Sequence, residues 1–153
     1  MTSQSIVVGK EETARLLNRL LKDCGWEQVK AVLPGKEQQK KLLVVDSPEM
    51  LRWVQGFPQC LAEYTLREDP RFAGVKLTTY SLENDRADYT ARGLHTTPEG
   101  YKAFEIVGTG CIGRVRLRML PACGEELILI AASAAVVCGA PFAQVLSSLH
   151  KIF

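Results

Sequence analysis

Short apolar runs and longer amphipathic stretches alternate through the first half of this chain. Ser5 to Val8 is a β-branched run and predicts a first strand. A helix comes directly after it: Ala14, Leu16, Leu17, Leu20, Leu21 and Cys24 fall on one stripe of a 3.6-residue period, with Arg15, Asn18, Arg19, Lys22 and Asp23 opposite. Glu11 and Glu12 sit in its first turn, where the helix dipole favours anions, and Gly25 supplies a stop. Glu27 to Leu33 predicts a second strand, closed by a turn at Pro34 and Gly35. The run Leu42 to Val45 suits a strand buried on both faces. It ends at Asp46, and Ser47 with Pro48 then predict the cap and first turn of a helix carrying Met50, Leu51, Trp53 and Val54. A further helical segment is expected over Gln59 to Leu66, and another strand over Val75 to Tyr80.

After Tyr80 the pattern changes. Strand-like segments around Tyr89–Leu94, Tyr101–Val107 and Arg114–Leu120 are separated by short turns, which suit antiparallel pairing. The end is helical: Leu127 to Cys138 is apolar all round, and Pro141 opens a last helix with Phe142, Val145, Leu146 and Leu149 at helical spacing. The expected fold is therefore α/β, a mostly parallel sheet flanked by helices with a small antiparallel unit over about residues 86–120. No repeat or linker divides residues 1–153, so a single domain is expected.

Composition narrows the function classes. Lys and Arg number 19 against 17 Asp and Glu, a net charge of +2, which offers no general excess for neutralising phosphates and argues against nucleic acid as a partner. The 5 cysteines, Cys24, Cys60, Cys111, Cys123 and Cys138, are odd in number and scattered, unlike a disulfide framework or a zinc site. His95 and His150 add no local metal cluster. The opening MTSQSIVVGK lacks a leader's apolar core, and Leu127–Cys138 is about half the roughly 20 residues needed to cross a bilayer. A cytoplasmic protein with no membrane association is expected.

Several motifs invite chemistry. Gly108, Gly110 and Gly113 form GTGCIG, a match to the dinucleotide pattern GxGxxG, which needs a helix after it. The next residues, RVRLRML, read instead as a strand by their strict alternation, so the glycines predict a hairpin connection without a cofactor. Arg114, Arg116 and Arg118 share one face of that strand. A solvated sheet face, with Glu105 as a cross-hairpin partner, accounts for them, and a phosphate-binding stripe is the alternative. Glu83, Asp85 and Asp88 around Arg86 read as a charged turn, and His95 as a surface histidine. The segment VVGKEETARLL places Gly9-Lys10 between a strand and a helix, the frame in which phosphate loops occur. Val8 stands where a glycine-rich cradle belongs, and Glu11 stands where a magnesium-binding hydroxyl belongs.

With these residues in view the chain resembles a shortened central domain of the Mur ligases, the ATP-dependent amide-ligase superfamily that includes folylpolyglutamate synthase. Four segments occur in the family's order. GKEETARLLNRLLKDCGW resembles the phosphate-loop lysine and its helix, and LLVVDSPEM the later strand ending in an Asp-rich turn. TTYSLENDRADYTARGL resembles the opening of the small antiparallel sheet. LPACGEELILIAASAAVVCGAPFAQVLSSLHKIF resembles the glycine–asparagine loop, alanine-rich helix, Gly-x-Pro turn and final helix. The resemblance implies ATP and magnesium as the family's cofactors, and a nucleotide- or phosphate-binding set of Gly9, Lys10, Thr13 and Asp46.

The departures from the family carry the functional expectation. The glycine-rich loop is a degenerate one. The stretch Leu33 to Leu42 replaces the long segment that bears the family's magnesium-binding Glu, His and carbamylated Lys. No asparagine stands near Gly124 to Leu129 for adenine, and the family's flanking domains have no counterpart. The expected function is thus a non-catalytic interaction or regulatory protein, a pseudoenzyme with no catalytic residue, no metal site and no bound cofactor. It would act through a protein partner or as a homodimer that covers exposed surface. The alternative is a nucleotide- or phosphate-binding protein that could complete an ATP-dependent amide ligase with a partner.

Overall fold

A computed structural model describes residues 3–122 and 124–153, so Cys123 lies outside the described residues. Eight strands form one sheet in the order β2-β1-β3-β4-β5-β6-β7-β8. In chain order they are β1 (Gln4–Val7), β2 (Val29–Val32), β3 (Gln39–Val45), β4 (Gln59–Glu63), β5 (Lys76–Ser81), β6 (Tyr89–Thr96), β7 (Lys102–Gly108) and β8 (Cys111–Leu117). Strands β2 to β6 along that order pair in parallel, and β6, β7 and β8 pair antiparallel, as the change of pattern after Tyr80 predicts.

Three helices, α1 (Glu11–Asp23), α2 (Glu125–Val137) and α3 (Phe142–Ile152), pack on one face of the sheet. The apolar stripe of α1 buries Leu16, Leu17, Leu20 and Leu21 against that face, and Gly25 ends the helix at φ +78°. Helix α2 is buried from Leu127 to Ala135, and its one central polar group, Ser133 Oγ, donates to Leu129 O at 2.6 Å. The opposite face is covered by 3-10 turns. There Met50, Leu51, Val54, Phe57 and Phe72 close over Val7, Leu43, Val45, Cys60 and Ala62.

Two expectations are corrected. Gln59–Glu63 is a strand rather than a helix, and only Tyr64–Leu66 makes a helical turn after it. A short apolar run such as Cys60-Leu61-Ala62 has no decisive period, and its place between β3 and β5 settles it. The helix expected after Pro48 is a 3-10 segment, Pro48–Trp53, and the Ser47 side chain makes no capping bond.

The connection from β5 to β6 is too short for an ordinary parallel crossover, which takes about a dozen residues. The strands avoid one by stagger: β6 begins where β5 ends, pairing only Tyr80 with Tyr89 and Ser81 with Thr90. Asp88 fixes the junction. Its carboxylate accepts from Thr79 N at 2.9 Å, and its own N–H donates to Thr79 Oγ1 at 3.1 Å. The antiparallel unit consequently projects past the carboxyl ends of the parallel strands.

Candidate functional site

In an open parallel sheet, ligands bind at the carboxyl ends of strands where the strand order reverses. Here that point lies between β1 and β3, because the chain leaves β1 for β2 on one side and returns to β3 on the other. Gly9 and Lys10 come after β1, and Asp46 after β3, so the fold brings them to one crevice. Lys10 is the exposed N-cap residue of α1, without a side-chain capping bond. Thr13 is in the first turn but turns inward. It is 2% exposed and belongs to the core stripe, so its hydroxyl is not presented to the crevice.

Gly9 is exposed, and only the side of its Cα is closely neighboured. A Cβ placed there would lie 3.0 Å from Met50 Sδ and 3.4 Å from Asp46 Oδ1. A phosphate cradle needs backbone N–H groups converging on open space. In this chain the thioether of Met50 and the Asp46 carboxylate stand close to Gly9 on its Cα side. Glu11 and Glu12 cap the dipole of α1, and Glu125 and Glu126 do the same for α2. The crevice thus presents one exposed lysine among carboxylates, with a single glycine in the loop before it.

Sequence reasoning missed a buried tyrosine at the same edge. Tyr80, near the end of β5, is 1% exposed, and its hydroxyl has no hydrogen-bond partner among the described residues. Burial, then the charges of Asp46, Glu126 and Glu63, hold its ionisation far above the ordinary tyrosine range. It stays a neutral donor beneath a rim of carboxylates. Glu125 is likewise pushed up by burial, and its Oε2 is unpaired among the described residues. The strand order brings Asp46 and Glu63 near Tyr80, and the start of α2 adds Glu126.

The remaining candidates have structural roles. In GTGCIG, Thr109 and Gly110 form the hairpin connection between β7 and β8, with Gly110 at φ +73°. The other two glycines serve close packing instead: a Cβ on Gly108 would strike the Tyr89 ring at 2.4 Å, and one on Gly113 would strike Leu146 at 2.4 Å. No helix begins there. The Cys60 and Cys138 thiols are pushed up to about 12 by burial, and burial raises Cys24 and Cys111 too, so none of these four is a ready nucleophile. Among the described residues no three of His, Cys, Asp and Glu meet as a metal-binding group, and no helix is long and apolar enough to cross a membrane.

No protein-family model and no curated protein sequence matches the chain. Solved structures do. A UDP-N-acetylmuramoyl-L-alanyl-D-glutamate–2,6-diaminopimelate ligase superposes with a TM-score of 0.70 at 13% identity, over 99% of this chain and 46% of its own. The fold is that of the Mur ligases. UDP-N-acetylmuramate–alanine ligase MurC from Thermotoga maritima gives 0.70 at 10% identity, over 98% of this chain and 45% of its own. A MurF ligase from the same organism, solved with ADP, gives 0.68 at 12%, over 96% and 48%. The chain thus spans about half the length of these Mur ligases. At such identities the likeness is one of fold.

Proposed function

We propose that this chain is a non-catalytic binding module built on the Mur ligase frame, acting through a protein partner or a second copy of itself. The observation that carries the reading is Met50 and Asp46 against Gly9, with Glu11 at the head of α1. Phosphoryl transfer depends on positioned donors and metal to absorb developing charge. One exposed lysine among carboxylates supplies neither the cradle nor the metal ligands.

The second reading is nucleotide or phosphate binding at Gly9, Lys10, Thr13 and Asp46. In its favour, Gly9 and Lys10 stand at the sheet's reversal point beside Asp46. Titration calorimetry with ATP and magnesium, run beside an ADP-release assay over a panel of amino acids, separates the two. The binding-module reading expects no ADP release and no saturable heat below about millimolar ATP. Lys10-dependent turnover overturns it. Tight ATP binding that Lys10→Ala abolishes, without turnover, establishes the second reading instead.

A further inference from the structure

The antiparallel unit carries a surface whose composition the sequence disclosed only in part. In the β6–β7–β8 register, Arg92 and Arg114 both lie opposite Glu105, and His95 and Arg116 both lie opposite Ala103. All six residues line one depression of about 730 Å³ on the face away from the helices. That volume lies within the range of specific binding clefts, roughly 300–1,000 Å³. The small side chain of Ala103 forms its floor. A register shift between Arg92 and His95, with Gly93 at φ +73°, bends β6 over it.

Its charge is one-sided. Glu105 is the single acid lining the depression, paired with Arg92 at 3.7 Å, and Glu99 lies near enough to feel the Arg116 charge; Arg114 and Arg116 are exposed. Arg116 is held in place by stacking on Tyr101, 4.2 Å from the ring centroid. Ile112, 61% exposed, extends the same face of β8 at the next alternate position. Two residues apart on a strand, Arg114 and Arg116 are separated by about 6.8 Å, and Arg92 stands across two strand spacings, about 9.6 Å from Arg114. Carboxylates at every second position of an extended peptide repeat at that same roughly 6.8 Å spacing. A guanidinium fork takes a carboxylate in a bidentate fashion.

The edge of β8 is closed to strand addition along part of its length. Arg116 N donates to His150 Nε2 at 3.2 Å, and Arg118 N donates to Phe153 O at 3.3 Å. A partner strand pairing there would have to displace α3, so the partner lies across the face and is read through its side chains.

We infer that the β6–β8 face docks an extended acidic segment of a partner protein, with carboxylates at alternate positions seated on Arg114 and Arg116 and Arg92 flanking them across the sheet. The inference names the partner chemistry for the binding-module reading and rests on it.

The test uses the full chain and a fluorescein-labelled ten-residue peptide of alternating Glu and Thr, read by anisotropy at low salt. Expected are saturable binding that weakens with added salt, and a loss of at least about tenfold in Arg114→Gln/Arg116→Gln. The Gln-for-Glu peptide should not bind, and Glu105→Gln should bind more tightly because the competing acid is gone. Both variants sit on an exposed face, and urea unfolding verifies their fold. Equal affinity for a peptide with its Glu residues in one block, or indifference to the arginines, overturns the assignment. So does tighter arginine-dependent binding of tripolyphosphate or single-stranded RNA. If the chain ignores both ATP and the peptide, this assignment falls and the binding-module reading stands. If it turns over ATP through Lys10, that reading falls first.

Discussion

Replacing Gly113 by Ala separates the two meanings of GTGCIG. A Cβ there would stand 2.4 Å from Leu146 Cδ1 and 2.8 Å from Phe142 Cε2, both on α3. Carbon atoms prefer about 3.5–4.0 Å, so more than an ångström must be recovered by moving Leu146 or by lifting the helix off β8. Leu146 and Phe142 pack against the main core beside Val145 and Leu149, which are fully buried, so neither route is free. Overpacking of this kind costs about 1–3 kcal/mol. Losing glycine's freedom in the unfolded chain returns about 0.4–1 kcal/mol. The net expectation is a destabilisation of about 1–2 kcal/mol, or a fall in Tm of roughly 2–8 °C for a chain of this size.

Urea unfolding followed by tryptophan fluorescence measures it, since Trp26 is half-buried beside the helices. Leu146→Ala in the same background removes the closest clash. The double-mutant cycle should then show a favourable coupling of about 0.5 kcal/mol or more. A Gly113→Ala protein as stable as the parent would refute the packing account.

Asn18 makes a paired contact with the edge strand: its Nδ2 donates to Ala31 O at 3.0 Å, and its Oδ1 accepts from Ala31 N at 2.7 Å. Asn18→Ala should cost about 2 kcal/mol in urea unfolding, and Asn18→Asp, which keeps the acceptor but sets a carboxylate oxygen against Ala31 O, should not recover that loss at neutral pH. Ser148 Oγ donates to Asp23 Oδ2 at 2.6 Å and ties α3 to α1; this bond, then Arg19, holds the Asp23 carboxyl below its ordinary value against the opposing effect of burial. A lowered folded-state pKa adds stability that is present above the unfolded value of about 3.9 and is lost as pH falls through the folded value, so Ser148→Ala should flatten the acid limb of a stability–pH curve and leave its neutral-to-alkaline shape unchanged.

Local order was legible wherever one period dominated. Helix α1 announced itself through its stripe, its two first-turn glutamates and Gly25, and α2 through an apolar run too long for a strand. Strand β4 was not legible, because Cys60-Leu61-Ala62 takes its conformation from β3 and β5 rather than from its own pattern. Of the candidate site, the order of segments placed Gly9, Lys10 and Asp46 near one another. The approach of Met50 to Gly9 was hidden, since it depends on how the 3-10 turn after β3 folds back onto the end of β1. Arg114 and Arg116 were visible as a stripe. Arg92 joined them only through a cross-strand register with a bulge inside it.

Charge placement ties the two surfaces together. Residues 86–120 hold 6 Lys and Arg against 3 Asp and Glu, an excess larger than the net +2 of the whole chain. The rest of the protein is therefore slightly acidic, and its carboxylates gather where helix N-termini would otherwise attract anions. Glu11 and Glu12 answer the dipole of α1, and Glu125 and Glu126 that of α2. Asp46, Glu63 and Glu126 all act on the Tyr80 hydroxyl, which has no partner among the described residues. An anionic ligand approaching the strand ends meets Lys10 outnumbered by carboxylates, whereas one approaching the β6–β8 face meets three guanidinium groups with Glu105 and Glu99 beside them. The difference in sign predicts opposite salt responses for anionic probes at the two surfaces: screening weakens attraction at the sheet face and relieves repulsion at the crevice. A purely fold-based transfer of nucleotide binding from the Mur ligases would take no account of this difference in charge.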